Sequence, residues 1–243
     1  MLAIIGGTGL GQLSNLHNSE RETIETRYGP VYLEKGWVKE TPVIFLPRHG
    51  NPSRVPPHKV NYRANIQALC DVGVDKVISV TAVGSVDPAL KVCDLVFPDQ
   101  IIDYTFGRQH TFFEDEIRHI DFTYPYDRSL RQSLLASAER LAGCVIHAKG
   151  VYGCTQGPRL ETAAEIKRMF RDGCTVVGMT AMPEAALARE KGLCYAGVSF
   201  VVNAGAGIND HAIDVGGISE SLVEGTARVV SVINAFITDA GLN

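Results

Sequence analysis

Short apolar runs rich in β-branched residues alternate along the chain with segments whose apolar residues recur at helical spacing. The apolar runs predict buried strands at residues 2–5, 43–46, 77–81, 95–97, 145–151, 175–177 and 195–202. The helical spacing predicts helices at residues 59–72, 128–141, 162–171, 183–191 and 219–240. Strands and helices in alternation indicate an α/β fold with a largely central sheet.

Two long stretches, residues 104–125 and 204–217, carry neither pattern. Ordered loops of this length are uncommon in a compact domain and often carry function. The first stretch is rich in histidine and aromatic residues, and the second is rich in glycine and directly follows a predicted strand. Because no repeat, low-complexity tract or linker interrupts the chain, we expect one domain over residues 1–243.

The 243 residues are 45% hydrophobic and 21% charged, with a formal net charge of −4. The acidic balance argues against a general nucleic-acid or membrane-surface binder, because both tasks use a basic face. No run of 18 apolar residues is present, and the first residues enter a strand-like segment without a basic leader. We therefore expect a cytoplasmic protein with neither nucleic acid nor membrane as a partner.

The six cysteines are widely scattered and form neither a C-x-x-C pair nor a metal-ligand pattern with histidine. We interpret most of them as buried thiols and expect no bound metal. A Ser/His/Asp or Cys/His signature of covalent catalysis does not stand out either.

A glycine-rich turn, Gly6-Gly7-Thr8-Gly9-Leu10-Gly11, follows the first predicted strand. Its glycines let backbone N–H groups approach an anion closely, and Thr8 adds a hydroxyl donor. The turn fails as a dinucleotide fingerprint, because G-x-G-x-x-G would need a glycine at Gln12. A nicotinamide-dependent dehydrogenase is thereby disfavoured, whereas a tight turn without any ligand stays open for this segment.

Three other predicted strands end in a guanidinium or hydroxyl side chain. Arg48 follows the apolar run 43–46, Thr81 ends the next run, and Thr180 follows the run 175–177. Open α/β sheets bind ligands at the carboxyl ends of their strands, and arginine can grip a phosphate bidentately. Each residue alone is more often a surface or capping residue, but their shared position indicates an anion site.

These residues belong to a set of motifs that resembles the trimeric purine nucleoside phosphorylase and methylthioadenosine phosphorylase family. The motifs run in family order and read Gly6-Gly7-Thr8-Gly9, Arg48-His49-Gly50, Lys59-Val60-Asn61-Tyr62, Thr81-Ala82-Val83-Gly84-Ser85, Gly157-Pro158-Arg159 and Gly178-Met179-Thr180-Ala181-Met182-Pro183-Glu184. The resemblance implies a single α/β domain with a central mixed sheet partly curled into a barrel and flanked by helices. It also implies a homotrimer whose active sites lie at subunit borders.

The activity implied by the resemblance is phosphorolysis of a purine nucleoside, with inorganic phosphate as co-substrate and no cofactor. The family's phosphate-binding positions are matched by Thr8, Arg48, His49, Thr81, Ala82 and Thr180, and Met179 matches the residue that lies against the ribose. Because the transition state resembles an oxocarbenium ion, catalysis then rests on positioning and preorganised hydrogen bonds.

Two base-pocket positions of the family read Glu161 and Asn203 here, where members acting on 6-aminopurines typically carry Ser and Asp. A 6-oxopurine has a hydrogen on N1 that the Glu161 carboxylate can accept, whereas adenine N1 is a bare acceptor. The Asn203 amide can donate to O6 or N7 of the departing base. Both residues therefore favour a 6-oxopurine, although Glu161 could instead cap the helix predicted from Thr162.

The segment from His119 to Pro125 resembles the one that, in methylthio-specific members, crosses from the neighbouring subunit and presents a histidine to the 5′ group. At the start of the last helix, where ordinary nucleoside enzymes place a histidine, the chain reads Val215-Gly216-Gly217-Ile218. An apolar slot at Ile218 suits a methylthio group and would leave a hydroxyl unpaired. His211 or Asp214 could fold back and supply a polar group, and His119 could be a solvated loop residue.

We therefore expect 5′-methylthioinosine and phosphate as substrates, and hypoxanthine and 5-methylthioribose 1-phosphate as products. Phosphorolysis of inosine or guanosine is the alternative, followed by phosphorolysis of methylthioadenosine. Outside enzymes, a nucleoside-binding sensor stays open, and phosphate-dependent release of hypoxanthine would separate it from a phosphorylase.

Overall fold

The centre of the fold is built from buried apolar runs of the sequence. The computed structural model describes residues 1–52, 54–209, 212–214 and 216–239, in which eleven strands form one mixed sheet. Four strands lie in parallel at its centre: β1 (Leu2–Gly6), β4 (Thr41–Pro47), β5 (Lys76–Ser85) and β11 (Cys194–Ala204). Because both of their faces are covered, most positions are buried and the runs are continuous instead of alternating.

A long hairpin, β2 (His17–Thr26) and β3 (Gly29–Val38), extends the sheet beside β4. The apolar pattern predicts neither strand. Almost every position of β2 is exposed, so this strand has no buried face to mark it in the sequence. Its pairing comes from backbone hydrogen bonds to β3, which do not depend on side-chain type.

The sheet divides at β5. The first residues of β5 pair with β1, whereas Gly84 and Ser85 pair with β10 (Val176–Gly178), which continues to β9 (Val151–Cys154) and β7 (Gln100–Asp103). On its other side, β5 pairs with β11, followed by β6 (Leu95–Val96) and β8 (Ile146–His147). The described strands leave the sheet open, with β7 and β8 ending the two branches. The expected α/β fold with a mixed sheet and flanking helices is confirmed, and its curling stops short of a closed barrel.

One predicted strand, residues 145–151, is two strands in the structure. β8 pairs with β6, whereas β9 pairs with β10 and β7, so the chain passes from one branch of the sheet to the other between them. Gly150 lies at this crossing, and a Cβ there would stand 2.8 Å from Cγ1 of Val96. The prediction of one strand is therefore wrong, because apolar content does not reveal a change of pairing partner.

The five predicted helices are present, as α1 (Tyr62–Asp71), α2 (Arg128–Glu139), α3 (Ala163–Arg171), α4 (Ala181–Glu190) and α5 (Ile218–Asp239). Side chains of Asn61, Asp127 and Thr162 cap the first three of them by accepting a backbone N–H. Helix α4 begins earlier than predicted and is kinked at Met182. Ala240, the predicted last residue of α5, lies outside the described residues.

Helix α5 covers one face of the sheet. Its buried residues include Val229, Val232, Ile233 and Phe236, which join the core formed by β1, β5 and β11. The described helices include none that combines the length and the apolar character needed to cross a membrane.

Candidate active site

The predicted site residues come together in one cleft at the carboxyl end of the central strands. The cleft encloses about 840 Å³, part of it open to solvent. Ten of the eleven predicted residues line it, namely Thr8, Arg48, His49, Thr81, Ala82, Glu161, Met179, Thr180, Asn203 and Ile218. The eleventh, His119, is exposed in the loop between β7 and α2 and does not line the cleft of its own chain.

The strand ends explain how residues far apart in sequence meet. Thr8 follows β1, Arg48 follows β4 and Thr180 follows β10, as predicted. Thr81 does not end its strand, because β5 continues to Ser85. It borders the cleft all the same, since β1 pairs with β5 only as far as Ser79.

Asn203 reaches the cleft through an irregularity in β11. The register with β5 shifts between Val201 and Asn203, which is the mark of a β-bulge. In a regular strand, neighbouring side chains face opposite sides, yet Val202 and Asn203 both line the cleft. The bulge therefore turns an apolar and a polar side chain toward the same space.

Arg48 is fully buried and is held by a buried carboxylate. Its Nε donates to Oε2 of Glu184 at 2.6 Å and its Nη2 donates to Oε1 at 2.8 Å. Nη2 also donates to Oγ of Ser79, and Nη1 donates to the carbonyl oxygen of Val80. Of the five guanidinium N–H groups, one on Nη1 is left over. The expected bidentate contact of Arg48 is therefore made with the Glu184 carboxylate and not with a phosphate.

The Glu184 carboxylate keeps the Arg48 guanidinium protonated and balances its positive charge. Burial by itself lowers the pKa of Arg48, but the Glu184 carboxylate raises that pKa above its usual value. Ser79 and Tyr195 each donate a further hydrogen bond to Oε1 of Glu184. Burial, followed by the Glu184 charge, raises the pKa of Tyr195, so its hydroxyl remains a donor. In the sequence, Glu184 stands only as the last residue of a motif, and nothing there indicates a role for it.

Gly7 allows the chain to pass close to this arginine. A Cβ at Gly7 would lie 2.8 Å from Nη1 of Arg48 and 2.7 Å from the carbonyl oxygen of Val80. Both distances are too short for any side chain, so the turn before Thr8 needs glycine for close approach.

His49 is a neutral acceptor in this arrangement. Its Nδ1 lies 2.8 Å from the carbonyl oxygen of Val55, which can only accept, so Nδ1 carries the hydrogen. Burial and then the neighbouring Arg48 charge lower the pKa of His49. The ring is therefore neutral at pH 7, and its Nε2 is left with a lone pair.

Three threonines contribute hydroxyl groups to the lining of the cleft. Thr8 is exposed, whereas Thr81 and Thr180 are buried. The Thr81 hydroxyl exchanges a 2.7 Å hydrogen bond with that of Ser199 on β11. Hydroxyl groups can rotate to donate to an anion without adding net charge.

Glu161 is a cleft residue and does not cap α3. The cap is Thr162, whose hydroxyl accepts from the Glu165 backbone N–H while the Glu165 carboxylate accepts from the Thr162 N–H. The Glu161 carboxylate instead accepts a 2.7 Å hydrogen bond from the Thr155 hydroxyl. The capping alternative left open by the sequence is therefore wrong.

The Asn203 side chain keeps hydrogen-bonding capacity for a ligand. Its Nδ2 donates to the carbonyl oxygen of Ala204 at 2.7 Å, which leaves one amide hydrogen and Oδ1 free to pair with a ligand. Together with Glu161, the cleft therefore offers one anionic acceptor and one amide.

Part of the cleft's lining is apolar and includes Val202, Ile213, Ile218 and Leu222. Asp214, which could have supplied a polar group here, is exposed and accepts from the Gly216 N–H at 2.9 Å. It does not line the cleft. His211, the other polar candidate, and Val215 lie outside the described residues.

Arg108 is a second arginine that sequence reasoning missed. It is buried in the loop between β7 and α2 and donates to the carbonyl oxygens of Thr155, Gln156, Met179 and Met182. The length of this loop and its lack of periodicity indicate a functional loop, but they do not point to Arg108 in particular.

No metal site is evident in the described part of the chain, which contains no group of three or more His, Cys, Asp or Glu residues able to hold an ion. The lining of the cleft combines hydroxyl and N–H donors, a carboxylate with an amide, and apolar side chains. Such a lining suits a ligand that has an anionic, a polar and an apolar part.

The chain belongs to the phosphorylase superfamily, whose family model matches residues 1–238. The family resemblance drawn from the motifs is thereby confirmed.

Among its relatives is a probable S-methyl-5′-thioinosine phosphorylase from Pseudomonas syringae pv. tomato, 50% identical over 232 residues, 93% of this chain and 94% of that protein. A 6-oxopurine nucleoside phosphorylase from Pyrococcus furiosus is 43% identical over 244 residues, covering 97% and 91% of the two chains. The fold is similar to that of methylthioadenosine phosphorylase from Schistosoma mansoni in complex with adenine, with a TM-score of 0.93, 27% identity and coverage of 100% and 92%.

Proposed function

We propose that this protein cleaves 5′-methylthioinosine with inorganic phosphate, giving hypoxanthine and 5-methylthioribose 1-phosphate. The observation that carries the proposal is that one cleft is lined by the donors around Arg48, by the pair Glu161 and Asn203, and by apolar side chains. These three parts match a phosphate, a 6-oxopurine and a methylthio group. The relatives from Pseudomonas and Pyrococcus, named for S-methyl-5′-thioinosine and for 6-oxopurine nucleosides, support the same class of substrate.

At the phosphate end, affinity would rest on directed hydrogen bonds more than on net charge. Thr8, Thr81 and Thr180 offer hydroxyl donors, and Arg48 offers its remaining Nη1 hydrogen. His49 can only accept at Nε2, so it would pair with the P–OH of hydrogen phosphate. In this role the anion is held at a fixed place where one of its oxygens can attack C1′ of the ribose.

At the base end, bond cleavage leaves the electron pair of the C1′–N9 bond on the purine. Glu161 accepts the N1–H of a 6-oxopurine in the ground state, and Asn203 donates to O6 or N7 as negative charge develops. The hydrogen bond from Thr155 fixes the Glu161 carboxylate for this contact. Adenine would set a bare N1 lone pair against the carboxylate, which costs about 1–3 kcal/mol.

At the 5′ end, Ile213, Ile218 and Leu222 would surround the methylthio group. A 5′-hydroxyl placed among these side chains would lose its hydrogen bonds to water without replacement. Phosphorolysis of inosine or guanosine is the second candidate, supported by the Pyrococcus relative named for 6-oxopurine nucleosides. Methylthioadenosine ranks third, because Glu161 and Asn203 disfavour its base.

Assembly and location are part of the proposal. A homotrimer with sites at subunit borders would allow the exposed His119 to serve a neighbour's 5′ pocket. A cytoplasmic location is supported by the cysteines, since all six are free thiols, as expected in a reducing compartment.

The test is phosphorolysis of methylthioinosine, inosine, guanosine and methylthioadenosine side by side, comparing kcat/KM. We expect methylthioinosine to be the best substrate and methylthioadenosine to be far poorer. Asn203→Asp should shift the ratio toward the adenine substrate, because a protonated carboxyl group can transfer a proton to N7. Glu161→Ser should add to that shift, although the two residues contact one ligand and need not act additively. A wild-type preference for the adenine substrate would overturn the base assignment.

A further inference from the structure

We infer that Arg108 is a positioning residue, which sets the spacing between the base-binding carboxylate of Glu161 and the turn at Met179. The inference rests on the proposed function, because it assigns those two ends of the cleft to the base and the ribose. Arg108 itself does not line the cleft.

All five N–H groups of the Arg108 guanidinium are used, and they join two separate segments of chain. Nη2 donates to the carbonyl oxygens of Thr155 and Gln156 at 3.2 and 2.8 Å, and Nε donates to the Gln156 side chain at 3.1 Å. Nη1 donates to the carbonyl oxygens of Met179 and Met182 at 2.9 and 2.5 Å. A single rigid group thus fixes the distance between the two segments.

Each segment carries a part of the cleft. The hydroxyl of Thr155 holds the Glu161 carboxylate, so a shift of the first segment would carry the base acceptor with it. Met179 and Thr180 belong to the second segment and line the ribose and phosphate parts. Arg108 therefore acts on both through their backbones, which explains why no motif in the cleft reveals it.

The partners of Arg108 differ from those of the buried Arg48. Arg48 is paired with Glu184, whereas no Asp or Glu in the described ranges forms an ion pair with Arg108. A buried guanidinium held by carbonyl oxygens requires those carbonyls to converge, since losing one would leave a charged donor unpaired. The charge thereby favours one arrangement of the two segments over looser ones.

The test measures base selectivity, defined as the ratio of kcat/KM for methylthioinosine to that for methylthioadenosine. This ratio does not depend on the fraction of folded enzyme, so a loss of stability alone leaves it unchanged. Arg108→Lys keeps the charge but has three N–H donors on one atom and cannot bridge both segments. We expect the ratio to fall about 10- to 100-fold, because small displacements of reacting groups have effects of that size.

Arg131→Lys is the matched control. Arg131 on α2 also donates to backbone carbonyls, those of Phe97, Pro98 and Ala148, but these lie outside the cleft. We expect this variant to lose stability and to keep the wild-type ratio. Thr155→Val removes the hydroxyl that holds Glu161 and should lower the ratio as Arg108→Lys does. In the variant that combines Arg108→Lys with Thr155→Val, the ratio should fall by less than the product of the two single fold-changes.

An Arg108→Lys enzyme with reduced stability and the wild-type ratio would overturn the inference. If that variant cannot be purified, Gln156→Met, which removes the side-chain oxygen that accepts from Arg108 Nε and from the Phe106 N–H, must lower the ratio, and an unchanged ratio overturns the inference equally. A wild type that prefers the adenine substrate defeats the proposed base assignment instead. In that case the positioning role is judged by whether Arg108→Lys moves the wild-type ratio toward one.

Discussion

Replacing Glu184 by glutamine tests the charge balance behind the proposed phosphate site in the cleft. Glu184 is 1% exposed, and its carboxylate receives four hydrogen bonds of 2.6 to 2.8 Å from Arg48, Ser79 and Tyr195. Glutamine keeps the size of the side chain but removes the negative charge and one acceptor oxygen. The Arg48 guanidinium is then left buried without a counter-charge.

The expected loss of folding stability is large for a single isosteric substitution. Removing one partner of a buried ion pair costs about 3–5 kcal/mol, which in a chain of this length lowers the Tm by roughly 6–20 °C. The assay is urea unfolding at fixed protein concentration, with the slope of the transition compared between variants. Glu224→Gln is the matched control, because its pair with Arg228 lies on the surface of α5, and we expect a change below about 1 kcal/mol.

Phosphate provides a second arm of the same experiment. In Glu184→Gln, the unpaired Arg48 can turn its charge toward a bound anion, so phosphate should raise the stability of this variant more than that of wild type. Chloride at equal ionic strength controls for screening. A variant within about 1 kcal/mol of wild type would refute the reasoning, because that is the effect of a surface pair.

Three further predictions concern phosphate use, anion binding and the sharing of a site between subunits. Arg48→Ala should raise the phosphate KM by roughly 10- to 100-fold, since a charged donor is lost, and Thr8→Val should raise that KM less. Both values are measured from initial rates against phosphate concentration at saturating nucleoside. Sulfate has no proton to offer Nε2 of His49 at neutral pH, so calorimetry should give weaker binding for sulfate than for phosphate, and equal affinities would contradict a neutral acceptor. Arg48→Ala and His119→Ala chains should regain activity when mixed, because some sites in a mixed trimer inherit both intact halves; no gain after verified subunit exchange would count against a shared site.

Burial decides which parts of the fold the sequence predicts. The strands β1, β4, β5 and β11 are covered on both faces, so their apolar runs are visible without any knowledge of pairing. The exposed β2 gives no such signal, and neither does the short β7, none of whose four residues is buried. Likewise, residues 145–151 show their apolar content but not the crossing between two branches of the sheet.

Local motifs identify cleft residues, but they do not identify the groups that hold those residues. Arg48 and Thr180 are predictable because each stands just after an apolar run. Glu184 lies 136 positions from Arg48 in the sequence, and nothing local relates the two. Arg108 is harder still, because it acts through carbonyl oxygens that every residue possesses.

The charges around the cleft bear on how the proposed site would bind phosphate and still release a phosphorylated product. The Arg48 charge is matched by Glu184, His49 is neutral, and Glu161 adds a carboxylate to the lining. A strongly cationic site would bind phosphate and the sugar phosphate alike, which would lower KM without raising kcat. Hydroxyl and N–H donors of fixed geometry instead form hydrogen bonds only with an anion whose oxygens lie at the right positions. They can therefore discriminate between the free phosphate and the ester in a way that net charge cannot.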